Sequence, residues 1–544
     1  MAEPNYSRRD FLESIGNLAG GSAVYRAALA LGLTTATTAC GSSSAADSST
    51  DTSVTVNPGT TTPTDTVFVS PEDWPEEVGV GKSVVILGAG IAGMTSAYEM
   101  NRLGYNCTVL EATARAGGRC RTIRAGDIIE ETTTTQICNF DAGDDLYFNP
   151  GPARIPHHHV NLLRYCRHFN VPLEPFINDN RATLFHQTDA FDGAPQSARQ
   201  VKADLRGYIA ALLTDAANSG ALDAQLSAAD RASLTAMLAE FGGLNSDGSY
   251  TGSSRNGFVE TEDQEPNQQT TVAALSLSEI LNSDYWRYQT AFSEEFNQQA
   301  SMLQPVGGMD RIAIAFEQQV HDLIRYSCKV TAIQKTTDGV RIEYQDDAGN
   351  SGSIESDTCI CTIPATVLSG IDSDFSAGHQ QAIDNFSYTK ATKMAFQSRR
   401  FWEEDHHIYG GISWTDQDIT QIWYPNNGFG SQQGIIVGAY TYSSSAGQRF
   451  ADMNPTARLE AATLEATQIH ESYSDEVSQG VSVSWPNVPY QKGAWGTSDP
   501  GLLLTADDNI YFAGEHLSIL QGWQEGAILS AYRVINGIVS RDAS

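Results

Sequence analysis

A continuous apolar run over residues 84–87 is followed by a glycine-rich turn and by an apolar stretch over residues 91–100. The short run of branched residues predicts a buried parallel strand, and the longer stretch predicts a helix. A second apolar run covers residues 107–110, and another strand-and-helix pattern covers residues 509–528. This alternation at both ends of the chain predicts an α/β fold with a parallel sheet.

The middle of the chain follows two other patterns. Residues 155–299 contain Leu/Ala/Ile runs of helical period, over residues 201–213 and 231–241, and predict a helical insertion. Residues 366–499 contain β-rich runs, such as residues 434–442, which predict a separate sheet. A discontinuous domain over 81–150, 300–365 and 500–544 would enclose both.

Residues 1–40 have the features of an export signal. The segment Ser7-Arg8-Arg9-Asp10-Phe11-Leu12 matches the twin-arginine pattern S-R-R-x-F-L, and a Gly/Ala/Leu-rich stretch follows it. Arg26 interrupts that stretch, which is also too rich in Gly and Thr to be a membrane span. We predict export by the twin-arginine route to the periplasm or the extracellular space. The alternative is a short amphipathic helix with two adjacent arginines.

The residues around and after Cys40 predict a tether. Thr37-Thr38-Ala39-Cys40 is consistent with a lipoprotein cleavage site that makes Cys40 a lipid anchor, and ordinary signal-peptidase cleavage nearby is the alternative. Residues 41–80 are rich in Ser, Thr, Asp and Pro and contain no Lys or Arg. Because such a composition cannot bury enough apolar surface to offset chain entropy, we predict a disordered spacer.

The charge balance excludes several classes of partner. The 544 residues include 33 Lys+Arg and 65 Asp+Glu, which gives a net charge of −32. Contacts with phosphates need clustered cations, so the composition argues against nucleic-acid binding and against docking on anionic lipid. The length suits three or four domains of about 150 residues, or two with long insertions.

Neither the cysteines nor the histidines predict a metal site. The eight cysteines lack the spacing of metal ligands, and Cys359 and Cys361 alternate in an apolar run, on one face of a predicted core strand. His157, His158 and His159 are consecutive, so their side chains diverge and cannot all reach one ion.

The glycine-rich turn carries the first chemical signal. Gly88, Gly90 and Gly93 form a G-x-G-x-x-G motif between a predicted strand and a predicted helix. Such glycines permit a tight turn, a close approach to a pyrophosphate and helix–strand packing. The second strand ends at Glu111, the expected place for an acid that accepts hydrogen bonds from a ribose. The combination predicts a Rossmann-like dinucleotide site.

Several further motifs, in order along the chain, resemble the flavin amine oxidase family, and in particular its L-amino acid oxidase branch. The resemblance covers residues 82–544, and its motifs are G-G-R at Gly117–Arg119, Asn149–Pro156, Pro305–Asp310, Lys329–Gln334, Thr392–Met394, Ile435–Tyr440, Asn509–His516 and Gln521–Ile528. It implies an amine-oxidase-like fold: an FAD-binding domain, a β-sheet substrate domain over residues 366–499 and the helical insertion.

The resemblance also implies a set of site residues. FAD is the expected cofactor, and the residues expected to contact it are Gly88, Gly90, Ile91, Ala92, Gly93, Glu111, Ala112, Gly118, Arg119, Gly151, Pro152, Ala153, Arg154, Val330, Gly514, Glu515, Gly522, Trp523 and Ala527. Substrate contacts are implied for Arg154, Tyr440, Gly522 and Trp523. Lys393 and Trp523 are the expected catalytic residues, Lys393 by positioning a water molecule.

Arg154 decides the expected substrate class. A guanidinium offers two parallel donors to a carboxylate, and Tyr440 can add a neutral one. The predicted reaction is therefore oxidation of an L-amino acid by O₂ to a 2-oxo acid, ammonia and H₂O₂. The alternatives are oxidation of an amine without a carboxylate, an amino-acid 2-monooxygenase, or a flavin-fold scaffold without turnover. A structural arginine is the alternative role for Arg154, and a solvated strand charge is that for Lys393.

Three further expectations concern the substrate pocket and the assembly. Trp495, Met302 and Gln304 are candidate pocket residues, which favours large or aromatic substrate side chains. The stretch before residue 305 lacks the histidine that some animal relatives carry, and His516 is left between a flavin-facing and a packing role. A homo-oligomer, a dimer or larger, is consistent with the family.

Overall fold

In the computed structural model, which describes residues 74–259 and 270–544, the apolar runs become the inner strands of several sheets. The strands are β1 Ser83–Leu87, β2 Asn106–Leu110, β3 Ile128–Glu131, β4 Thr134–Ile137, β5 Ile155–Pro156, β6 Leu173–Phe176, β7 Leu184–His186, β8 Gln196–Ser197, β9 Met302–Pro305, β10 Ile324–Arg325, β11 Cys328–Lys335, β12 Val340–Asp346, β13 Ser351–Ser356, β14 Thr358–Cys361, β15 Asp372–Ser373, β16 Thr392–Arg399, β17 Ile412–Thr415, β18 Gln421–Trp423, β19 Gln433–Thr441, β20 Val477–Ser484 and β21 Ile510–Phe512.

Helices connect and cover these strands. They are α1 Ile91–Arg102, α2 Val160–His168, α3 Ala198–Asn218, α4 Ala228–Gly242, α5 Leu277–Asn282, α6 Tyr288–Ala291, α7 Asp310–Val320, α8 Ala365–Leu368, α9 Ala377–Asp384, α10 Phe401–Glu404, α11 Ser444–Asp452, α12 Pro455–Ala466, α13 Tyr473–Glu476 and α14 Gln524–Asp542.

A five-stranded parallel sheet, in the order β10-β2-β1-β14-β21, confirms the predicted α/β fold. Its strands come from distant parts of the chain, and Ile86 pairs with both Val109 and Ile360. Helices α1, α7 and α14 contribute buried residues to the core on one face. Cys359 and Cys361 lie together in the core on the other face, as the alternation predicted. The boundaries predicted for the discontinuous domain, 81–150, 300–365 and 500–544, stay a prediction.

A seven-stranded sheet, in the order β20-β16-β19-β18-β17-β7-β8, forms the second layer that matters for the site. Its centre is antiparallel, with β16 between β19 and β20. The predicted strand over residues 434–442 appears as β19. One face packs against residues of α12 in a core of its own, which leaves the other face available to the site.

The region predicted as a helical insertion is only partly helical. The two predicted helices exist as α3 and α4, and each begins earlier than its apolar run because Ser197 and Ser227 cap its first turn. Strands β5 and β6 flank β9 in a three-stranded sheet, and β7 and β8 extend the seven-stranded sheet. These strands are two to four residues long, too short to show a period in the sequence.

The predicted spacer extends too far. The indole nitrogen of Trp74 donates to Asn536 Oδ1 at 2.5 Å, and its ring meets Tyr532 edge-on at 5.7 Å between centroids. Residues 74–80 therefore belong to the folded part of the chain. The prediction rested on the polar composition of the segment, whereas the contacts of a single residue, Trp74, attach it to the last helix. The predicted export signal, the Cys40 anchor and most of the spacer lie outside the described residues. Among those described, every helix is too short or too polar to cross a membrane.

Candidate active site

A cavity of about 810 Å³ extends from the carboxyl ends of the parallel strands to the seven-stranded sheet. Its wall includes the residues that directly follow β1, β2 and β14, Gly514 just beyond β21, and Lys393, Trp423 and Tyr440 from the second sheet. The carboxyl edge of an open parallel sheet is where such folds bind their ligands. The cavity thus joins a dinucleotide-type site to a second part, walled by Lys393, Trp423 and Tyr440, which we call the second chamber.

In the turn between β1 and α1, backbone atoms without a covering side chain face this cavity. A Cβ atom added to Gly90 would meet no atom within 4 Å, whereas one added to Gly93 would lie 1.9 Å from the carbonyl oxygen of Gly88. Gly90 thus borders open space, and Gly93 lies behind the turn, where α1 packs against it. No acidic residue stands in the first turn of α1, so its free N–H groups and positive dipole can hold a pyrophosphate.

Glu111 supports the turn and keeps accepting capacity for a ligand. The buried carboxylate accepts a hydrogen bond from the backbone N–H of Ala89 at 2.8 Å. Its other oxygen accepts from the backbone N–H and the hydroxyl of Thr113, at 2.9 and 2.7 Å. A carboxylate has about four lone-pair positions, so one remains for a ribose hydroxyl.

The G-G-R loop is tied to the C-terminal motif across the cavity. Arg119 Nη1 donates to Glu515 Oε1 at 2.7 Å and to the carbonyl of Ala494 at 2.6 Å. The second oxygen of Glu515 accepts the backbone N–H of Gly522 at 2.6 Å, and Gly522 has the positive φ of +82° that this turn requires. The two motifs, almost 400 residues apart in the chain, therefore form one wall.

The segment over residues 149–154 is held by donors on its carbonyl groups. The indole nitrogen of Trp485 donates to Pro150 O at 2.9 Å, and Lys393 Nζ donates to Gly151 O at 2.7 Å. A Cβ on Gly151 would lie 2.1 Å from the carbonyl oxygen of Arg119, so the backbones touch here. These contacts fix the direction in which Arg154 leaves the segment.

Arg154 projects a guanidinium among aromatic rings in the second chamber. Its Cζ lies 4.6 Å from the ring centroid of Trp423 and 5.6 Å from that of Trp523. Nε and Nη2 both donate to Gln298 Oε1, at 3.2 and 2.8 Å. Within the described residues, Arg154 has no carboxylate partner. Burial lowers the pKa of Arg154, but a guanidinium stays charged at neutral pH.

Lys393 lies beside Arg154 and is buried, with 3% of its surface exposed, which excludes a solvated strand charge. Its Nζ donates to Gly151 O at 2.7 Å and to Asn149 O at 3.3 Å. Burial, with the nearby charge of Arg154, lowers the pKa of Lys393 to about 7. The ammonium lies 4.6 Å from the ring centroid of Tyr440, its partner on the neighbouring strand.

Tyr440 and Trp523 complete the wall around the two cations. Burial raises the pKa of Tyr440 to about 12, so its hydroxyl keeps its proton and can donate to an anion at neutral pH. Trp523 directly precedes α14, and its ring meets the buried His159 edge-on at 5.0 Å between centroids. The chamber thus offers two cations, a neutral donor and aromatic walls.

The structure brings nearly all of the predicted residues to this one cavity. Those lining it are Gly88, Gly90, Ile91, Ala92, Glu111, Ala112, Gly118, Arg119, Gly151, Pro152, Ala153, Arg154, Val330, Lys393, Tyr440, Gly514, Glu515, Gly522, Trp523 and Ala527. Gly93 is not among the lining residues, for the packing reason given above.

Of the three candidate pocket residues, only Trp495 lines the cavity. Met302 and Gln304 lie on β9, the middle strand of the three-stranded sheet, and are buried there. Met302 packs in a core cluster, and the side chain of Gln304 donates to Glu174 at 2.7 Å. Their placement in the pocket was therefore wrong.

The histidines do not form a metal centre. Within the described residues, no three His, Cys, Asp or Glu side chains are grouped so that they could hold an ion. His158 stacks on Phe296, and His159 is buried against Trp523. The ring of His516 packs between Phe386 and Tyr388 and is not part of the cavity wall.

Sequence reasoning missed three residues that shape the second chamber. Trp423 and Gln298 contact Arg154, and Trp485 holds the segment that carries it. Trp423 is the last residue of the short strand β18, and Gln298 belongs to a single helical turn, so neither lies in a recognisable motif. Trp485 ends a β-rich run over residues 480–485, but nothing in that run indicates its contact with Pro150.

The carboxyl-edge cavity, the glycine turn without side chains and the paired Arg119 and Glu515 are the features of a dinucleotide-cofactor site with a second chamber beside it. The chain belongs to the flavin containing amine oxidoreductases, whose family model matches residues 91–538. The fold is amine-oxidase-like, and the cofactor is FAD. The glycine turn and the free acceptor position of Glu111 fit this cofactor.

Relatives of known name extend the comparison. The chain is 26% identical over 486 residues to an L-amino-acid oxidase of Notechis scutatus scutatus, covering 84% of this chain and 87% of the relative. It is 27% identical over 509 residues to an L-amino-acid oxidase of Siganus canaliculatus, covering 87% and 88%. Among solved structures, cyclohexylamine oxidase from Brevibacterium oxydans matches with a TM-score of 0.56 at 16% identity, over 85% of this chain and all of that chain.

Proposed function

We propose that this FAD-dependent enzyme oxidises L-amino acids with O₂ and water to 2-oxo acids, ammonia and H₂O₂. The observation that carries the proposal is the guanidinium of Arg154, which points into the substrate chamber without a carboxylate partner among the described residues. A substrate carboxylate would supply that partner through two parallel charge-assisted hydrogen bonds. The similarity to named L-amino-acid oxidases supports the same conclusion.

The charges of the cavity wall favour an anionic substrate group over a cationic one. Lys393 stands beside Arg154, so this end of the cavity is rich in cations. Three of the four wall carboxylates are already engaged: Glu111 with the glycine turn, Glu515 with Arg119, and Glu131 with Arg458, while the fourth, Glu130, is exposed. A diamine or polyamine would meet the positive charge of Arg154, and that of Lys393 whenever this lysine is protonated, whereas an amino acid brings its own carboxylate.

Each residue then has a defined task. The glycine turn, Glu111, Arg119 and Glu515 would hold FAD, which when bound accepts the hydride of the substrate α-carbon and passes two electrons to O₂. Arg154 and the Tyr440 hydroxyl would orient the carboxylate, and Trp423 and Trp523, whose rings lie against the guanidinium, would keep water away from it. Lys393, with a pKa of about 7, can hold or release a proton at Nζ and can position the water that hydrolyses the imine.

A substrate screen tests the proposal directly. The purified holoenzyme is assayed for H₂O₂ release with L-amino acids, D-amino acids, simple amines and polyamines. We expect activity with L-amino acids only, with ammonia and a 2-oxo acid as the other products. Turnover of amines alone would contradict the carboxylate-binding role of Arg154, and an amide formed without peroxide would identify a monooxygenase.

Replacing Arg154 by Met tests the residue itself. Because an unpaired carboxylate would remain in a partly desolvated chamber, we expect the variant to raise KM for L-amino acids by about 100- to 1,000-fold. The matched control is Arg341→Met, a change of the same kind in the β12–β13 hairpin at a residue that does not line the cavity. An Arg154→Met variant with an unchanged KM would remove Arg154 from the substrate site.

A further inference from the structure

The carboxylate-binding fork of Arg154 is occupied by a neutral group of the protein itself. Gln298 Oε1 accepts hydrogen bonds from Nε at 3.2 Å and from Nη2 at 2.8 Å. These two nitrogens form one of the two sides of a guanidinium that can bind a carboxylate through parallel hydrogen bonds, and the other side, Nη1 and Nη2, shares Nη2 with it. A single amide oxygen therefore takes both donors of one side and one donor of the other, so it competes with a substrate carboxylate on either side.

The main chain around Gln298 is fixed independently of this contact. The side chain of Asn178 donates to the backbone oxygen of Gln298 at 2.7 Å. The neighbouring Asn297 is hydrogen-bonded to the ring of His158 at 2.8 Å, and Phe296 stacks on the same ring. Within the described residues, the side-chain amide of Gln298 bonds only to Arg154. Rotation of one side chain can thus open the fork while the backbone stays in place.

Two physical effects make this contact reversible. A partly buried guanidinium is costly without an acceptor, and the Gln298 oxygen provides one. A carboxylate is the better acceptor, because it carries a negative charge and offers one oxygen to each nitrogen, where the amide must share one oxygen between two. The amide should yield to a carboxylate but not to an uncharged ligand.

We propose that Gln298 is an internal competitor for the substrate carboxylate, displaced from Arg154 whenever an amino acid binds. The proposal rests on the proposed function, since it assumes that Arg154 binds the carboxylate. It makes Gln298 a determinant of substrate affinity that the motifs do not include. Its effect falls on KM and on the dissociation constants of carboxylate ligands, with little effect on kcat.

Titration of the holoenzyme with benzoate, a carboxylate that has no amine to oxidise, measures the competition through the visible flavin spectrum. Gln298→Met keeps a side chain of similar length but has no oxygen, so we expect the Kd of benzoate to fall by about 3- to 10-fold, as loss of a competing hydrogen bond implies. Gln298→Glu places a carboxylate in the fork, and we expect the Kd to rise by about 100-fold or more. Gln299→Glu is the matched control, because it adds the same charge one residue further, where the amide instead bonds to Glu294 O.

The outcomes separate this inference from the proposed function. An Arg154→Met enzyme that binds benzoate as tightly as the wild type would overturn both. If Arg154→Met loses benzoate binding while Gln298→Met and Gln298→Glu bind it with the wild-type Kd, the competitor role alone is wrong. A merely structural Gln298 would lower kcat and Tm in both variants instead of moving the Kd in opposite directions. Gln298→Glu decides the matter alone if Gln298→Met does not retain flavin.

Discussion

Lys393 shows how a single side chain can support a site at the expense of stability. Its ammonium is removed from water and placed beside the guanidinium of Arg154, and both effects disfavour the charged form. The carbonyl oxygens of Asn149 and Gly151 accept hydrogen bonds from this ammonium, so Lys393 also holds the segment that carries Arg154. The residue that orients Arg154, for which we propose substrate binding, is thus a buried lysine near its own titration point.

The pH dependence of stability tests this account of Lys393. Its pKa is 10.5 when free and about 7 in the fold, so between these values the unfolded chain binds more protons and stability rises with pH. The charge penalty is therefore complete below pH 7 and absent above about pH 10.5. Lys393→Met removes it, so we expect the Tm of the variant minus that of the wild type to be largest at pH 6 and to fall steadily toward pH 10.

Thermal melts of both proteins with excess FAD measure this difference in Tm at each pH. Groups that titrate alike in the variant and in the wild type do not contribute to it. Lys390→Met, a change of the same kind at an exposed lysine, serves as the control and should give a difference that is flat over the same range. A Lys393→Met curve as flat as that of the control would mean that the lysine is not desolvated in the fold.

At the scale of elements, the glycines of the turn between β1 and α1 have two different roles. One allows the helix to pack against the turn, and the other leaves space for a ligand. Gly93 permits packing, because any Cβ there would collide with the carbonyl of Gly88. Gly90 has an ordinary φ of −76° and faces open space, so the fold itself does not require glycine there. We therefore attribute the absence of a side chain at residue 90 to a ligand that approaches the backbone there.

A pair of alanine substitutions distinguishes these tasks. Gly90→Ala should leave the Tm of the apoprotein unchanged and weaken FAD binding, because the new methyl group occupies the approach to the turn. Gly93→Ala should lower the free energy of unfolding by about 1–3 kcal/mol, the usual cost of overpacking. Melts of the apoproteins and FAD titrations measure both effects. Equal FAD affinity of Gly90→Ala and the wild type would contradict the cofactor-facing role of the turn.

The elements that the sequence predicted share one property, which is that their signal is local. The turn at Gly88, the acid at Glu111 and the strand β19 are each specified by neighbouring residues, and each appears where it was expected. Trp485 and Gln298 reach the site across more than 140 residues of chain, so no local pattern marks them. Met302 was misplaced for the same reason, since only the pairing of β9 with β5 and β6 decides that it is buried.

At the scale of the whole molecule, the charge of the site is opposite in sign to the net charge of the protein. Residues 81–544 carry a net charge of −25, whereas the substrate chamber presents Arg154 and Lys393. The global field repels an anionic substrate during its approach, and the two cations attract it only at short range. Salt screens these contributions differently, because the Debye length is about 8 Å at physiological ionic strength and buried groups are screened least.

Salt should therefore favour anionic substrates over neutral ones. L-glutamate and L-glutamine have similar shapes, but only glutamate carries a net negative charge, so it is the one that the acidic surface repels. Between about 10 and 300 mM NaCl, we expect the ratio of kcat/KM for glutamate to that for glutamine to rise by a few-fold, since screening weakens the long-range repulsion. Steady-state peroxide assays at constant pH measure this ratio, and glutamine itself controls for general effects of salt. A ratio that stays constant would mean that the acidity of the surface has no influence at the entrance, and that the local cations alone govern how the carboxylate arrives.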